Sequence, residues 1–307
     1  MTQKSEYIKL CNTNHELPLF WLPWFLDGLV GSNWDVRFSS EDGQLLGAWI
    51  FTPQKKYGLQ LIPPVPLIKH TGIWLSDALS EPEKIKITEQ LLEELPGYDH
   101  LEQNFWYSLC NWKPLYWKGF DQKTFYSQEI NTEGKELENH FKTLRNNHKR
   151  NIKKGNKNLN IEATEDYSIL HQCILDSYTR KNQTFKLNEN QVKQLTQVCL
   201  KKNSGKILVA KYNNEICGAI FFAWDNKRVY YLLGGFNQQF ASYGVSTSLI
   251  WEGIKISFEQ HKIFDFEGSM NANISHFFDG FNTQLKPYFN ITHTPNKLFN
   301  FYLKTFK

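Results

Sequence analysis

The sequence predicts a mixed α/β protein in two halves of similar plan, and two stretches carry that prediction. From Gly205 to Thr292 the order reads hairpin, third strand, helix, strand, helix, strand. Lys206 to Lys211 (KILVAK) and Ile216 to Trp224 (ICGAIFFAW) are rich in β-branched and aromatic residues, and Asn213-Asn214 between them supplies the positive φ angles of a tight hairpin. Val229 to Leu233 follows a turn at Asp225-Asn226, and Gly234-Gly235 is expected to end that strand. After Gly244, the residues Val245, Leu249, Ile250, Ile254 and Phe258 fall at helical spacing, and Ile263 to Glu267 reads as a short strand.

The first half repeats this order more loosely. A helix-like segment, Leu19 to Leu29, precedes strands over Trp34 to Ser39 and Leu45 to Thr52, joined by Glu41-Asp42-Gly43; Asp-Gly is a strong hairpin signal. Pro63, Pro64 and Pro66 hold Leu61 to Leu75 extended, because they lack donors and restrict their predecessors. A helix over Glu81 to Leu95 starts at Ser80 and Pro82, carries acids in its first turn and stops at Pro96-Gly97. Strands over His100 to Leu109 and Lys123 to Ile130 flank an aromatic loop, Asn111 to Phe120. The second half begins with a basic helix, Leu137 to Asn156, whose apolar stripe is Phe141, Leu144, His148 and Ile152. A strand over Asn160 to Ala163 and helices over Asp166 to Arg180 and Asn188 to Leu200 lead into the later strands. The expected domains are residues 1–135 and 136–307, related by order of elements and not by a residue-level repeat.

Composition excludes several classes. The 307 residues are 41% hydrophobic and 21% charged, which fits a globular protein of two domains. A net charge of +4 does not by itself indicate a nucleic-acid protein. The five cysteines are single and lack metal-ligand spacing, which reads as reduced core thiols and a cytoplasmic location. No integral membrane segment is expected: Leu17 to Val30 is too short and contains Pro18, Pro23 and Asp27. Its Trp21, Trp24 and Phe25 cluster reads either as core or as a peripheral membrane contact. There is no GxSxG, P-loop or HExxH, and no metal is predicted.

The order of strand, two helices, three antiparallel strands, helix, strand, helix, strand resembles the GNAT acyltransferase fold. Two such halves resemble the FemAB-related, Fem-like aminoacyl transferases. The matching segments are Pro18 to Val36, the IKHTGIWL passage, Leu95 to Phe120, LRNNHKRNIKKG (Leu144 to Gly155), DFEGSM (Asp265 to Met270) and Phe277 to Ile291. The resemblance implies two tandem GNAT-like domains, the first degenerate and shaping the acceptor site. It implies transfer from acyl-CoA or aminoacyl-tRNA, with no tightly bound cofactor. The acceptor would be an amine, small or linked to a lipid or nucleotide, in cell-envelope or polysaccharide metabolism. A catalytically degenerate binding or scaffold protein is the alternative.

Candidate site residues follow. Strand alternation places Asp265 and Glu267 on one face, where repulsion would raise the proton affinity of one carboxylate and suit a base or an ammonium-binding pair. The competing reading makes one a helix cap and leaves the other solvated. Tyr288 is a candidate acid or a packed phenol. Leu233, Gly234, Gly235, Gly244, Ser246 and Thr247 are donor-binding candidates, although the stretch lacks Lys and Arg, so amides near Gly244 would hold any pyrophosphate. On the basic helix, Arg145, Arg150 and Lys153 are candidates for phosphate contacts, against a solvated helix face. His148 reads as a packed histidine.

Overall fold

The computed structural model describes residues 2–13, 16–65, 67–296 and 299, so Pro66 lies outside the described residues. The chain divides into two compact units: Met1–Phe125 with Pro287–Lys307, and Tyr126–Lys286. The sequence reading drew a single boundary at 135/136; by contacts, the late segment from Pro287 belongs with the first unit.

In the first unit, α1 (Gln3–Cys11) and α2 (Pro23–Val30) precede the hairpin of β1 (Asp35–Glu41) and β2 (Gln44–Phe51). Asp42 and Gly43 both have positive φ at its tip, as the Asp-Gly signal requires. The expected Leu19 to Leu29 helix is a single 3-10 turn followed by α2, because Pro23 cannot continue a helix but can start one. Then come β3 (Gln54–Lys56), β4 (Leu59–Ile62), β5 (Gly72–Leu75), α3 (Glu81–Glu93), β6 (His100–Asn104) and α4 (Lys113–Trp117). A reciprocal Ser80–Glu83 capping box starts α3. One sheet has the order β1-β2-β5; another part runs β3-β4-β6-β13, where β13 is Gln284–His293. Trp21 and Phe25 are completely buried and Trp24 is half-buried, so the cluster belongs mainly to the core and two of its three rings are withdrawn from any membrane contact. Of the thiols, Cys173, Cys199 and Cys217 are buried, Cys11 is half-buried, and Cys110 is exposed, which corrects the expectation of core thiols throughout.

The second unit contains the end of β7 (Asp121–Ile130), α5 (Leu137–Thr143), α6 (Asn146–Asn158), β8 (Asn160–Thr164), α7 (Tyr167–Arg180), α8 (Glu189–Lys201), β9 (Gly205–Tyr212), β10 (Glu215–Trp224), β11 (Arg228–Phe236), α9 (Val245–Glu259), β12 (Ile263–Asp265) and α10 (Ala272–Asp279). Its strands lie in the order β7-β12-β11-β10-β9-β8. All are antiparallel except β11 with β12. The expected basic helix is two helices. Leu144 and Arg145 are extended between them; Leu144 enters the core, and the Arg145 N–H donates to the Gly280 carbonyl. The apolar spacing continued through this break because Leu144, His148 and Ile152 bury on the same side. Tertiary demand overrode local propensity there.

Candidate active site

Strand β11 has two unlike ends. At its start, Arg228, Val229 and Tyr230 pair with Ile263, Phe264 and Asp265 of β12. Asp265 also lies opposite Glu129 of β7. Two like charges facing each other across a ladder repel. Arg228 resolves this: its Nη1 lies 2.7 Å from Glu129 Oε2 and 3.0 Å from Asp265 Oδ2. Asp265 is 0% exposed, and its Oδ1 accepts from Ser127 Oγ at 2.8 Å and from the Glu267 N–H at 2.9 Å. A carboxylate with this many donors is held firmly in place. It does not cap a helix; Asn271 caps α10.

Beyond Asp265 the two strands part. The Phe266 N–H donates to the Gln128 carbonyl, so the chain stays against β7 and leaves β11. Glu267 and Gly268 both adopt positive φ, at 56° and 54°. Gly268 is required: a Cβ there would lie 2.3 Å from Ser127 Cα. Strand alternation therefore does not reach Glu267. Its carboxylate is buried, and it occupies a left-handed backbone conformation that non-glycine residues adopt only when their surroundings impose it.

At the far end, β11 continues through Gly234 and Gly235 to Phe236, so these glycines do not end the strand. Gly235 serves close packing, since a Cβ there would lie 2.0 Å from the Cys173 carbonyl oxygen of α7. The Phe236 N–H donates to Ser177 Oγ at 2.8 Å, and its carbonyl accepts from Arg180 Nη1 at 3.1 Å. Because the Asn237 N–H turns inward to the Cys217 carbonyl, alternation directs the Leu233 and Gly235 backbone groups toward β10 and those of Gly234 toward the open edge. Of the donor-binding candidates on this strand, Gly234 alone presents its backbone on that edge.

Gly244, at φ 77°, leads into α9, whose N-terminus has no side-chain cap. Ser246 is half-buried there and Thr247 is buried. The basic helix α6 packs directly behind: a Cβ on Gly244 would lie 2.5 Å from the Asn151 carbonyl oxygen, and one on Gly155 would lie 1.9 Å from Ser248 Oγ. Lys154 Nζ stands 5.6 Å from the Tyr243 ring centroid. One cation, Lys154, is thus brought to the loop by α6. Arg150 and Lys153 are exposed on that helix. Arg145 is otherwise engaged, donating to the His276 carbonyl at 3.0 Å and lying 3.8 Å from Asp279. His148 is buried against Phe277 and Phe281, and burial lowers its pKa.

Tyr288 belongs to the first unit, buried among the rings of His70, Tyr107 and Phe125. Sequence reasoning missed Arg228, Glu129, Ser177 and Arg180. An acid inside the Lys123 to Ile130 strand pattern, an Arg directly before the Val229 to Leu233 pattern, and a Ser and an Arg three apart on one face of α7 were the available signals.

A family profile described as an acetyltransferase (GNAT) domain matches residues 139–270. No curated protein sequence matches the chain. Among solved structures, FemX shares the fold with a TM-score of 0.70 at 10% identity, covering 94% of this chain and 96% of that one. The C-terminal domain of an Agrobacterium fabrum protein named as a lysylphosphatidylglycerol synthetase gives 0.59 at 12% identity, over 98% and 95% of the two chains. A tandem GNAT protein from the clavulanic acid biosynthesis pathway gives 0.51 at 8% identity, over 94% of each. Residues 139–270 thus match a GNAT acetyltransferase domain, and the chain shares the FemX fold along its length.

Proposed function

We propose that the protein transfers an acyl or aminoacyl group from an activated ester or thioester to an amine. The observation that carries this reading is the parting of β11 from β12, which leaves the Gly234 backbone on an open edge within the same unit as the uncapped start of α9. A donor carbonyl or amide can hydrogen-bond to that edge, and phosphates can meet the N–H groups from Val245 to Thr247. Positioning then supplies much of the rate, with the donor fixed and the amine directed at its carbonyl. The buried Glu267 takes the amine proton as the tetrahedral adduct forms; the adduct then collapses with cleavage of the donor's acyl C–O or C–S bond, and the departing oxygen or sulfur takes that proton from Glu267. Asp265 does not act on substrate; it accepts from the Glu267 N–H and so sets the backbone that presents Glu267.

The donor we favour is polyanionic, an aminoacyl-tRNA rather than a free acyl-CoA. The exposed Lys154 of α6 stands beside the loop that leads into α9, and the exposed Arg150 and Lys153 give the same helix more charge than a single pyrophosphate needs. The names of FemX and of a lysylphosphatidylglycerol synthetase among the fold neighbours agree with cell-envelope chemistry of this kind. A thermal-shift panel of acetyl-CoA, longer acyl-CoAs and aminoacyl-tRNA tests the donor, since a ligand of the native state raises its melting temperature. A shift with aminoacyl-tRNA alone is expected; a shift with acetyl-CoA alone reverses the choice, and none with any donor removes the transferase reading. The occupied Phe236 edge supports a second reading, a binding protein of the same fold. It predicts a shift without transfer to any amine.

A further inference from the structure

The aromatic residues that the first unit leaves in solvent are not the ones nearest its N-terminus. Tyr57 is 92% exposed, Tyr116 63% and Trp117 59%, whereas Trp21 and Phe25 are buried. Each exposed ring stands among exposed lysines: Lys55 and Lys56 beside Tyr57, and Lys113 and Lys118 around Tyr116 and Trp117. Single exposed rings are ordinary on a protein surface. These are gathered by the topology.

Tyr57 and Gly58, both at positive φ, form the tip between β3 and β4. Strand β4 runs parallel to β6, with Leu61 opposite His100 and Ile62 opposite Leu101. The tip therefore projects from the end of the sheet where β6 begins. The chain after α4 returns to that same end. Phe120, three residues past Trp117, stacks on His293 at 4.1 Å between centroids, and His293 lies opposite Leu101. Leu115 is buried in the core of this unit while Tyr116 and Trp117 point out, so α4 is anchored on one side and bare on the other. Two basic aromatic projections thus share one end of one sheet. The acids there include Asp99, which accepts from the Gln60 N–H, Asp121, which bears electrostatically on His293, and Glu102, 4.0 Å from His100 Nε2.

We propose that this end of the first unit docks on an anionic lipid surface. Tyr and Trp rings prefer the water–lipid boundary, where the ring meets the acyl region and the polar edge stays wet. The four lysines match the negative leaflet, each contributing on the order of fivefold in partitioning when near the surface. The match of charge selects an anionic membrane over a neutral one. No helix among the described residues is long and apolar enough to cross a membrane, so this contact is peripheral.

Flotation of the full chain with vesicles tests the assignment, using 3:1 phosphatidylcholine:phosphatidylglycerol and phosphatidylcholine alone. Binding to the anionic vesicles is expected to exceed that to neutral ones by at least roughly tenfold and to weaken with salt. A Tyr57→Ser, Tyr116→Ser, Trp117→Ser variant is expected to lose about tenfold or more, with an unchanged circular dichroism spectrum and melting temperature because all three rings are exposed. A second variant, with Lys55, Lys56, Lys113 and Lys118 changed to Gln, should abolish the preference for anionic vesicles. Wild-type chain that stays with the soluble fraction overturns the proposal, as does wild-type-level binding to the anionic vesicles by both variants. A dimer in light scattering that Trp117→Ser dissociates would also overturn it, since the patch would then be covered by a second copy.

Discussion

The two ends of β11 put the same strand to opposite uses. At Arg228–Tyr230 it is closed on both sides, and buried charges are joined by short hydrogen bonds. At Leu233–Phe236 its neighbour has turned away, glycines replace side chains, and α7 holds the last backbone group. The closed end gives the open end its shape. Asp265 is tied to Arg228, and its other oxygen fixes the Glu267 amide, so the left-handed turn that carries Glu267 is set by the ion cluster. A buried ion pair is weak evidence for added stability, but a useful device for fixing one geometry.

Breaking the closed end should have the largest effect. Arg228→Met leaves Glu129 and Asp265 buried against each other, and urea unfolding should show a loss of about 3–5 kcal/mol, the usual result of orphaning a buried charge. An unchanged denaturation midpoint would mean that the cluster does not hold the strand ends together.

Acid should act on the core beside α5, away from either end. Burial, with Lys135 nearby, lowers the His140 pKa to about 4, while the unfolded chain titrates near 6.5. The unfolded state therefore binds more protons between these values, so this group's contribution is complete above pH 6.5 and is lost as pH falls toward 4. The loss should approach about 3 kcal/mol, and His140→Gln should flatten the slope in that window. His148, also lowered by burial, adds in the same direction.

At the open end, Gly235→Ala should cost about 1–3 kcal/mol, because the added methyl meets the Cys173 carbonyl of α7 and one of the two must shift. Calorimetric melting would detect it. A neutral result would show that α7 is not seated tightly on β11. The smallest effect on stability is expected from Arg150→Gln, Lys153→Gln, Lys154→Gln, within about 0.5 kcal/mol of wild type for exposed side chains. If these cations meet phosphates, tRNA affinity measured against salt should lose about 0.7–0.9 of log–log slope for each contact removed.

The sequence made the hairpins and most helix starts legible because their causes are local. Asp42-Gly43 and Asn213-Asn214 take positive φ as those residue types favour, and Ser80 and Asn188 begin helices with capping boxes. The break at Leu144-Arg145 was not legible, since no proline or glycine marks it and its cause is a carbonyl at Gly280, far along the chain. The Asp265–Glu267 pair was seen, but its geometry was misread: alternation presumes that the strand continues, whereas the ladder with β11 stops at Asp265. Arg228 and Glu129 were hidden because their meaning depends on which strands become neighbours.

Under the proposed function, Glu267 is the base for group transfer at the parted strands. Single-turnover transfer to a free amine, from whichever donor raises the melting temperature, tests it most directly in wild type and Glu267→Gln. The account predicts a rate roughly a hundredfold lower in the variant, with donor affinity nearly unchanged, as expected when a positioned base is lost but binding is kept. Transfer at the wild-type rate in Glu267→Gln would contradict it.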